Sequence, residues 1–341
     1  MSIGVHVMAI AKAIAAAFTI ATVAWAAEPA SKPATKPAAR FADPRRIETL
    51  RVQTARLKPL ARKLGKPRPG EWLSEHAEPG QTFAQYVAAS PVVPTTRRKT
   101  IYVQPLGRFT PTQERLVESA AEFLGAYYNL DVKLLERLSL SVVPTGARRI
   151  HPQWRNMQIR TGYVMEKVLL PRMPEDAFAY IALTPADLWP GEAWNFVFGS
   201  ASPTKRVGVW SLYRYGDPDA GPAQYRRVLL RTLKTAAHEV GHIFSMLHCT
   251  AWQCGMCGSN GLAEADRRPI ALCPQCLAKA CWASGADPAE RYRKLARFYA
   301  KNGLAPQEDF CKKALRALGQ PSASRDITRD NKRPGPASEA N

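Results

Sequence analysis

His238-Glu239-Val240-Gly241-His242-Ile243-Phe244-Ser245-Met246-Leu247-His248-Cys249 closes a helical pattern that runs from about Ala223 to Phe244, and the reading of this stretch decides the rest. Two histidines four residues apart project from one face of a helix, where both imidazoles can reach one metal ion. Glu239, beside the first of them, is placed to take a proton from a metal-bound water without being a ligand; zinc lowers the pKa of such a water to roughly 7. His248 is the third candidate ligand. On an unbroken helix it would face about 120° away from His242, so it reaches the metal only if the helix ends near Ser245 and the chain turns back. Such a turn favours glycine, and serine there implies strain of ~1 kcal/mol. His6, His76 and His151 have no ligand-like neighbours and read as ordinary histidines.

Seven cysteines accompany this stretch: Cys249, Cys254, Cys257, Cys273, Cys276, Cys281 and Cys311. Spacing alone favours Cys254-x-x-Cys257 and Cys273-x-x-Cys276 as a four-thiolate zinc site. A disulfide network is the competing reading, and an odd count leaves at least one thiol over in any scheme made only of disulfides.

Upstream, strand and helix patterns alternate. Ile101–Val103 reads as a short buried strand, Pro111–Tyr128 as a helix, Val132–Val143 as a second strand and Ile159–Leu170 as a second helix. Ala177–Leu183, Trp194–Phe198 and Val207–Tyr213 read as three more strands before the long helix. This order predicts an α/β (α+β) fold, a mixed sheet with helices packed on it.

HEVGHIFSMLHC (238–249), TAWQCGM (250–256), GSNGLAEADRRP (258–269) and LCPQC (272–276) together resemble the archaemetzincins, or archaelysins, a branch of the metzincin zinc peptidases. IYVQPLG (101–107), DLWPGEAWNFVFGSAS (187–202) and VGVWSLYRYGDP (207–218) extend the likeness over roughly residues 100–280. The resemblance implies a metzincin-like twisted mixed sheet with a long active-site helix and a cysteine zinc site. It implies a zinc metallopeptidase, a hydrolase with two zinc ions and a peptide or protein substrate. Carried across, His238, His242 and His248 hold the catalytic zinc, Glu239 is the general base and Met256 is the methionine beneath the histidines. The structural zinc falls on Cys249, Cys254, Cys273 and Cys276, taking Cys249 where spacing alone takes Cys257. The resemblance further implies aminopeptidase-like trimming or cleavage of restricted peptides, with the substrate along an edge strand matched to Trp194–Phe198. Ser245 stands where the family pattern has glycine, and Cys257, Cys281 and Cys311 lie outside the pattern; an exported member could join Cys281 to Cys311.

The ends are read from composition. With 48 basic and 28 acidic residues the net charge is +20, and 46% hydrophobic residues exclude wholesale disorder. No internal run reaches the eighteen or so apolar residues that a membrane-spanning helix needs. Residues 1–26 read as a signal peptide: Lys12 is the only charge before the apolar run Ala13–Ala26, and Ala24-Trp25-Ala26 suits cleavage. An uncleaved anchor is the alternative; either way an exported, periplasmic or secreted chain is expected. Residues 27–70 read as a basic Pro/Ala/Lys-rich arm, 71–319 as the catalytic domain and 320–341 as a disordered tail. Within the arm, Arg46–Lys66 can form a basic amphipathic helix marked by Leu50, Leu57, Leu60 and Leu64. For an exported chain the arm points to anionic lipid, envelope polymer or acidic protein rather than nucleic acid, with a solvated tail as the alternative. Two rival readings follow, a non-catalytic zinc-binding module on the same scaffold and an envelope-docking protein that acts through the arm.

Overall fold

The computed structural model describes residues 43–192 and 194–320; the expected signal peptide, the first part of the arm and the tail beyond Gln320 lie outside the described residues. Asp43 accepts a hydrogen bond from the Arg45 N–H and Pro44 occupies the first turn, which starts α1 (Pro44–Ala55). Leu50 and Leu57 are buried at 3% exposure, and α1 packs beside the later helix Pro274–Ser284, where Arg46 Nη2 donates to the Cys281 carbonyl at 2.9 Å. The chain then pairs with the loop after the histidine motif, through Leu64 N–H to Ala251 O and Gln253 N–H to Arg62 O. Among the described residues the second half of the arm, from Pro44 on, is therefore packed against the body ahead of Glu71. Its basic residues face water while their apolar neighbours cover the core, so charge alone concealed the second half of the arm. Two short helices follow, α2 (Trp72–Glu75) and α3 (Phe83–Ala88).

The sheet is built on β1 (Thr100–Pro105), and α4 (Pro111–Tyr128) leads from it to β2 (Asp131–Leu134). A Thr110/Gln113 capping box with Pro111 starts α4, and Asn129 in the left-handed conformation ends it. β3 (Arg148–Ile150) and β4 (Met157–Arg160) come next, then α5 (Thr161–Tyr163), which continues as a π-helical turn through Leu169. β5 (Ala177–Thr184), β6 (Asp187–Trp189), β7 (Gly199–Ser202) and β8 (Val207–Ser211) complete the strands. The main sheet has the order β2-β1-β5-β8-β7, parallel except for β7, which runs antiparallel at the edge. A small second sheet joins β3, β4 and β6.

Alternation along the central strands separates two cores. Ile101, Val103, Ile181 and Trp210 face one that is closed by α4 and the long helix α6 (Pro222–Ile243). Tyr102, Tyr180, Ala182 and Val209 face the other, covered by Val164 and Val168 of the α5 segment. The fold is thus the mixed α/β arrangement expected. After α6 come α7 (Leu262–Arg267), α8 (Pro274–Ser284), α9 (Pro288–Lys301) and α10 (Ala305–Ala317). Among the described residues no helix is long and apolar enough to cross a membrane.

Three expected elements differ. Trp194–Phe198 forms no strand beyond an isolated Val197–Leu188 bridge, and the edge strand is the next segment, Gly199–Ser202. Of the segment 132–143 only the part within Asp131–Leu134 is strand; the chain follows β1 to an isolated bridge at Leu138 and then enters a short 3-10 turn at Leu140–Val142. The helix read from Ile159 begins at Thr161, since Ile159 belongs to β4.

Candidate metal and active site

One face of α6 carries Thr235, His238, Glu239 and His242 into a cleft of about 690 Å³. The helix ends as the sequence requires. Ser245 adopts φ 63°, the Met246 N–H returns to Gly241 O at 3.1 Å and the Ser245 N–H to His242 O at 2.7 Å, the Schellman pattern. The serine hydroxyl offsets part of the left-handed cost by accepting the Val92 N–H at 3.0 Å. The chain then swings His248 back beside the helix.

The three imidazoles converge through Nε2. His242 and His248 place theirs 3.0 and 3.3 Å from His238 Nε2. Each Nδ1 meets an oxygen that can only accept: Gly255 O at 3.1 Å for His238, Met246 O at 2.8 Å for His242 and the Glu78 carboxylate at 2.9 Å for His248. The proton is therefore on Nδ1 and the lone pair on Nε2 points inward. Burial drives the His238 pKa down to about 3 and that of His242 well below the ordinary value, which keeps both neutral. A tetrahedral zinc with Zn–N of about 2.0–2.1 Å needs nitrogens about 3.3–3.4 Å apart, so this donor set fits the ion.

Glu239 is 8% exposed, and burial raises its pKa to about 8. It packs against β7 at Gly199, where a Cβ would lie 2.8 Å from its Oε1 and 2.9 Å from its Cγ. Met256, 1% exposed, presses on Gly241, between the two helix histidines in sequence; a Cβ there would lie 2.4 Å from Met256 Sδ. Gly241→Ala is expected to cost about 1–3 kcal/mol through overpacking, read as a lowered midpoint of thermal unfolding.

The sulfurs of Cys249, Cys254, Cys273 and Cys276 all lie within 4.8 Å of one another, with Cys249 and Cys273 3.7 Å apart. A tetrahedral zinc with Zn–S of about 2.3 Å needs sulfurs about 3.8 Å apart, so this set fits too. Cys273 caps α8, and its Sγ accepts the Cys276 N–H at 3.5 Å. Cys257, which spacing alone would include, instead donates its thiol to Trp252 O at 3.1 Å. Spacing misses this because Cys254-x-x-Cys257 closes a tight turn, with the Cys257 N–H on Cys254 O, rather than opening a helix. Cys281 and Cys311 are buried free thiols, so the disulfide suggested between them is not formed. The two clusters share one loop: Cys249 follows His248, and its N–H donates to Met256 O at 2.8 Å.

Three contributors to the cleft escaped the sequence reading, namely Trp72, His76 and Glu78. The Trp72 ring lies against His76, tilted by 34° at 3.9 Å between centroids, and meets His248 edge-on at 5.2 Å. His76 lines the cleft wall, outside the grouped metal donors. His151 does behave as expected, its Nδ1 accepting the Gln153 and Trp154 N–H groups.

A family model described as Peptidase family M54 matches residues 177–280. Archaemetzincin-2 of Homo sapiens is 37% identical over 263 residues, covering 67% of this chain and 72% of the relative. Archaemetzincin-1 of Homo sapiens is 28% identical over 256 residues, 66% of this chain and 51% of the relative. A solved archaemetzincin from Methanopyrus kandleri superposes with a TM-score of 0.43 at 28% identity, covering 54% of this chain and 94% of that one.

Proposed function

Since the chain belongs to the archaemetzincin family and is a zinc metallopeptidase, we propose that His238, His242 and His248 hold its catalytic zinc and that Glu239 is the general base for peptide-bond hydrolysis. The observation that carries this reading is the convergence of three Nε2 lone pairs one helical position from a buried carboxylate. Zinc bound there supplies Lewis acidity, lowering the pKa of water toward about 7 and polarising a carbonyl. Glu239 takes the proton from the attacking water and returns it to the leaving amine. The open edge of β7 offers backbone groups to an extended peptide, and Cys249, Cys254, Cys273 and Cys276 hold a structural zinc. The turn completed at Ser245 brings His248 back beside the helix, which favours a working zinc site over a non-catalytic module on the same scaffold.

Finer readings rest on the sequence. Aminopeptidase-like trimming follows the family resemblance, export follows residues 1–26, and contact with an anionic envelope surface follows the arm, whose basic residues Arg45 and Arg51 on α1 and Arg56 at its end are exposed. The test is mass spectrometry of a diverse peptide mixture incubated with the zinc-loaded chain, with Glu239→Gln alongside. Cuts made only by the wild type are expected, and their ends separate trimming from internal cleavage. No cuts by the zinc-loaded wild type would sink the reading.

Gly199 makes a second, independent demand. A Gly199→Ala methyl would displace the Glu239 carboxylate, and misplacement on the scale of 1 Å costs about 10²-fold. The expected result is a fall of that order in kcat with zinc content unchanged.

A further inference from the structure

We propose that Glu78 is a positioning residue of the three-histidine site, so that the segment from Gly70 to Phe83 completes the metal centre from outside the motif. This inference rests on the assignment of zinc to His238, His242 and His248. Two of the three imidazoles are oriented by carbonyls of the loop that follows α6, Met246 O and Gly255 O. The third is different. His248 has left the helix, and its Nδ1 lies 2.9 and 3.0 Å from the two oxygens of Glu78, a residue 170 positions earlier. A carboxylate on the outer nitrogen fixes the tautomer and the ring plane, and it makes the inner nitrogen a stronger donor than a carbonyl would.

The segment that carries Glu78 is anchored on both sides of it. The Trp72 N–H donates to Glu264 Oε2 at 3.0 Å, and Asn260 Nδ2 bridges Gly70 O at 3.1 Å and Glu75 Oε2 at 2.9 Å. The Trp72 ring lies on Gly258, where a Cβ would come within 2.4 Å of it. Past Glu78 the chain is fixed again, by Lys279 Nζ on Gln81 O at 2.5 Å and by the Phe83 N–H on Gln275 Oε1 at 2.8 Å. Gly80, at φ 66°, runs against Thr250 in the loop between the two clusters. A segment pinned on α7 and α8 therefore delivers its carboxylate to His248 with little left to reorganise when the metal enters.

The test is cobalt(II) and zinc(II) binding to the full chain. Thiolate-to-cobalt charge transfer reports the four-cysteine site, d–d bands without thiolate character report the three-histidine site, and chelator competition gives a dissociation constant for each. Glu78→Ala is expected to raise the constant at the histidine site by about 10- to 100-fold, with the thiolate site and the unfolding temperature unchanged. Glu78→Gln, which keeps the shape and loses the charge, should weaken the histidine site by less, and it decides the matter alone if the alanine variant does not fold. Unchanged affinity at the histidine site in these variants overturns the proposal, and so does equal weakening of both sites, which would place the carboxylate's role in the fold. A wild-type chain that takes metal at the thiolates and none at the histidines would overturn the assignment of the catalytic zinc itself, and this inference with it.

Discussion

Glu239→Gln is expected to lower kcat for peptide hydrolysis by at least 10²-fold, and up to about 10⁴-fold, while both zinc ions stay bound. The amide matches the carboxylate in shape, so its packing against Gly199 survives, and Glu239 is not among the grouped histidine donors. What is lost is a group that can accept and return a proton. Equal falls in kcat and kcat/KM would place the lost interaction in the transition state alone, whereas a rise in KM at constant kcat would assign Glu239 to binding. Zinc counted by atomic emission on the same samples separates this from loss of metal. Activity within a few-fold of wild type would remove Glu239 from the mechanism.

How much of this could be read beforehand depended on how local each determinant is. α4 announces itself locally, through Thr110, Pro111 and Gln113, and then through Leu116, Ala120, Phe123 and Leu124 on one face. The histidine motif is equally local, and the reversal at Ser245 follows from helix geometry because His248 has no other way to reach His242. Aromatic residues drew the edge strand to Trp194–Phe198 on propensity, yet the strand is the small, polar Gly199–Ser202. There the space needed by Glu239 overrides β-propensity, and that demand comes from a residue 40 positions away. Leu50 and Leu57 read as marks on a charged arm because the helix on which α1 packs, Pro274–Ser284, is more than 200 residues distant. Glu78 had no readable signal at all. One carboxylate in a segment with Glu71 and Glu75 becomes special only when His248 is folded onto it.

Cys249→Ser and Cys257→Ser are expected to part sharply, and they test the second zinc site where spacing and structure disagree. Cys249 Sγ lies 3.7 Å from Cys273 Sγ within the four-sulfur group, whereas Cys257 hydrogen bonds to Trp252 O outside it. Structural zinc in small thiolate sites contributes about 10–16 kcal/mol of apparent binding energy, so loss of one of four ligands destabilises the folded chain by several kcal/mol. At about 2–4 °C per kcal/mol, the Cys249→Ser unfolding midpoint should fall by roughly 10 °C or more. Zinc content should drop from about two ions per chain toward one. The damage should also cross to the first site, because Cys249 follows His248 in the chain and its N–H is bonded to Met256 O. Cys257→Ser exchanges one weak donor for another toward the same carbonyl, so two zinc ions and a midpoint within about 2 °C of wild type are expected, the range of an ordinary substitution of about 0.5 kcal/mol. The reverse outcome, with zinc lost from Cys257→Ser and kept by Cys249→Ser, would restore the four-cysteine set that spacing alone selects. It would also cut the link through which the thiolate site supports His248.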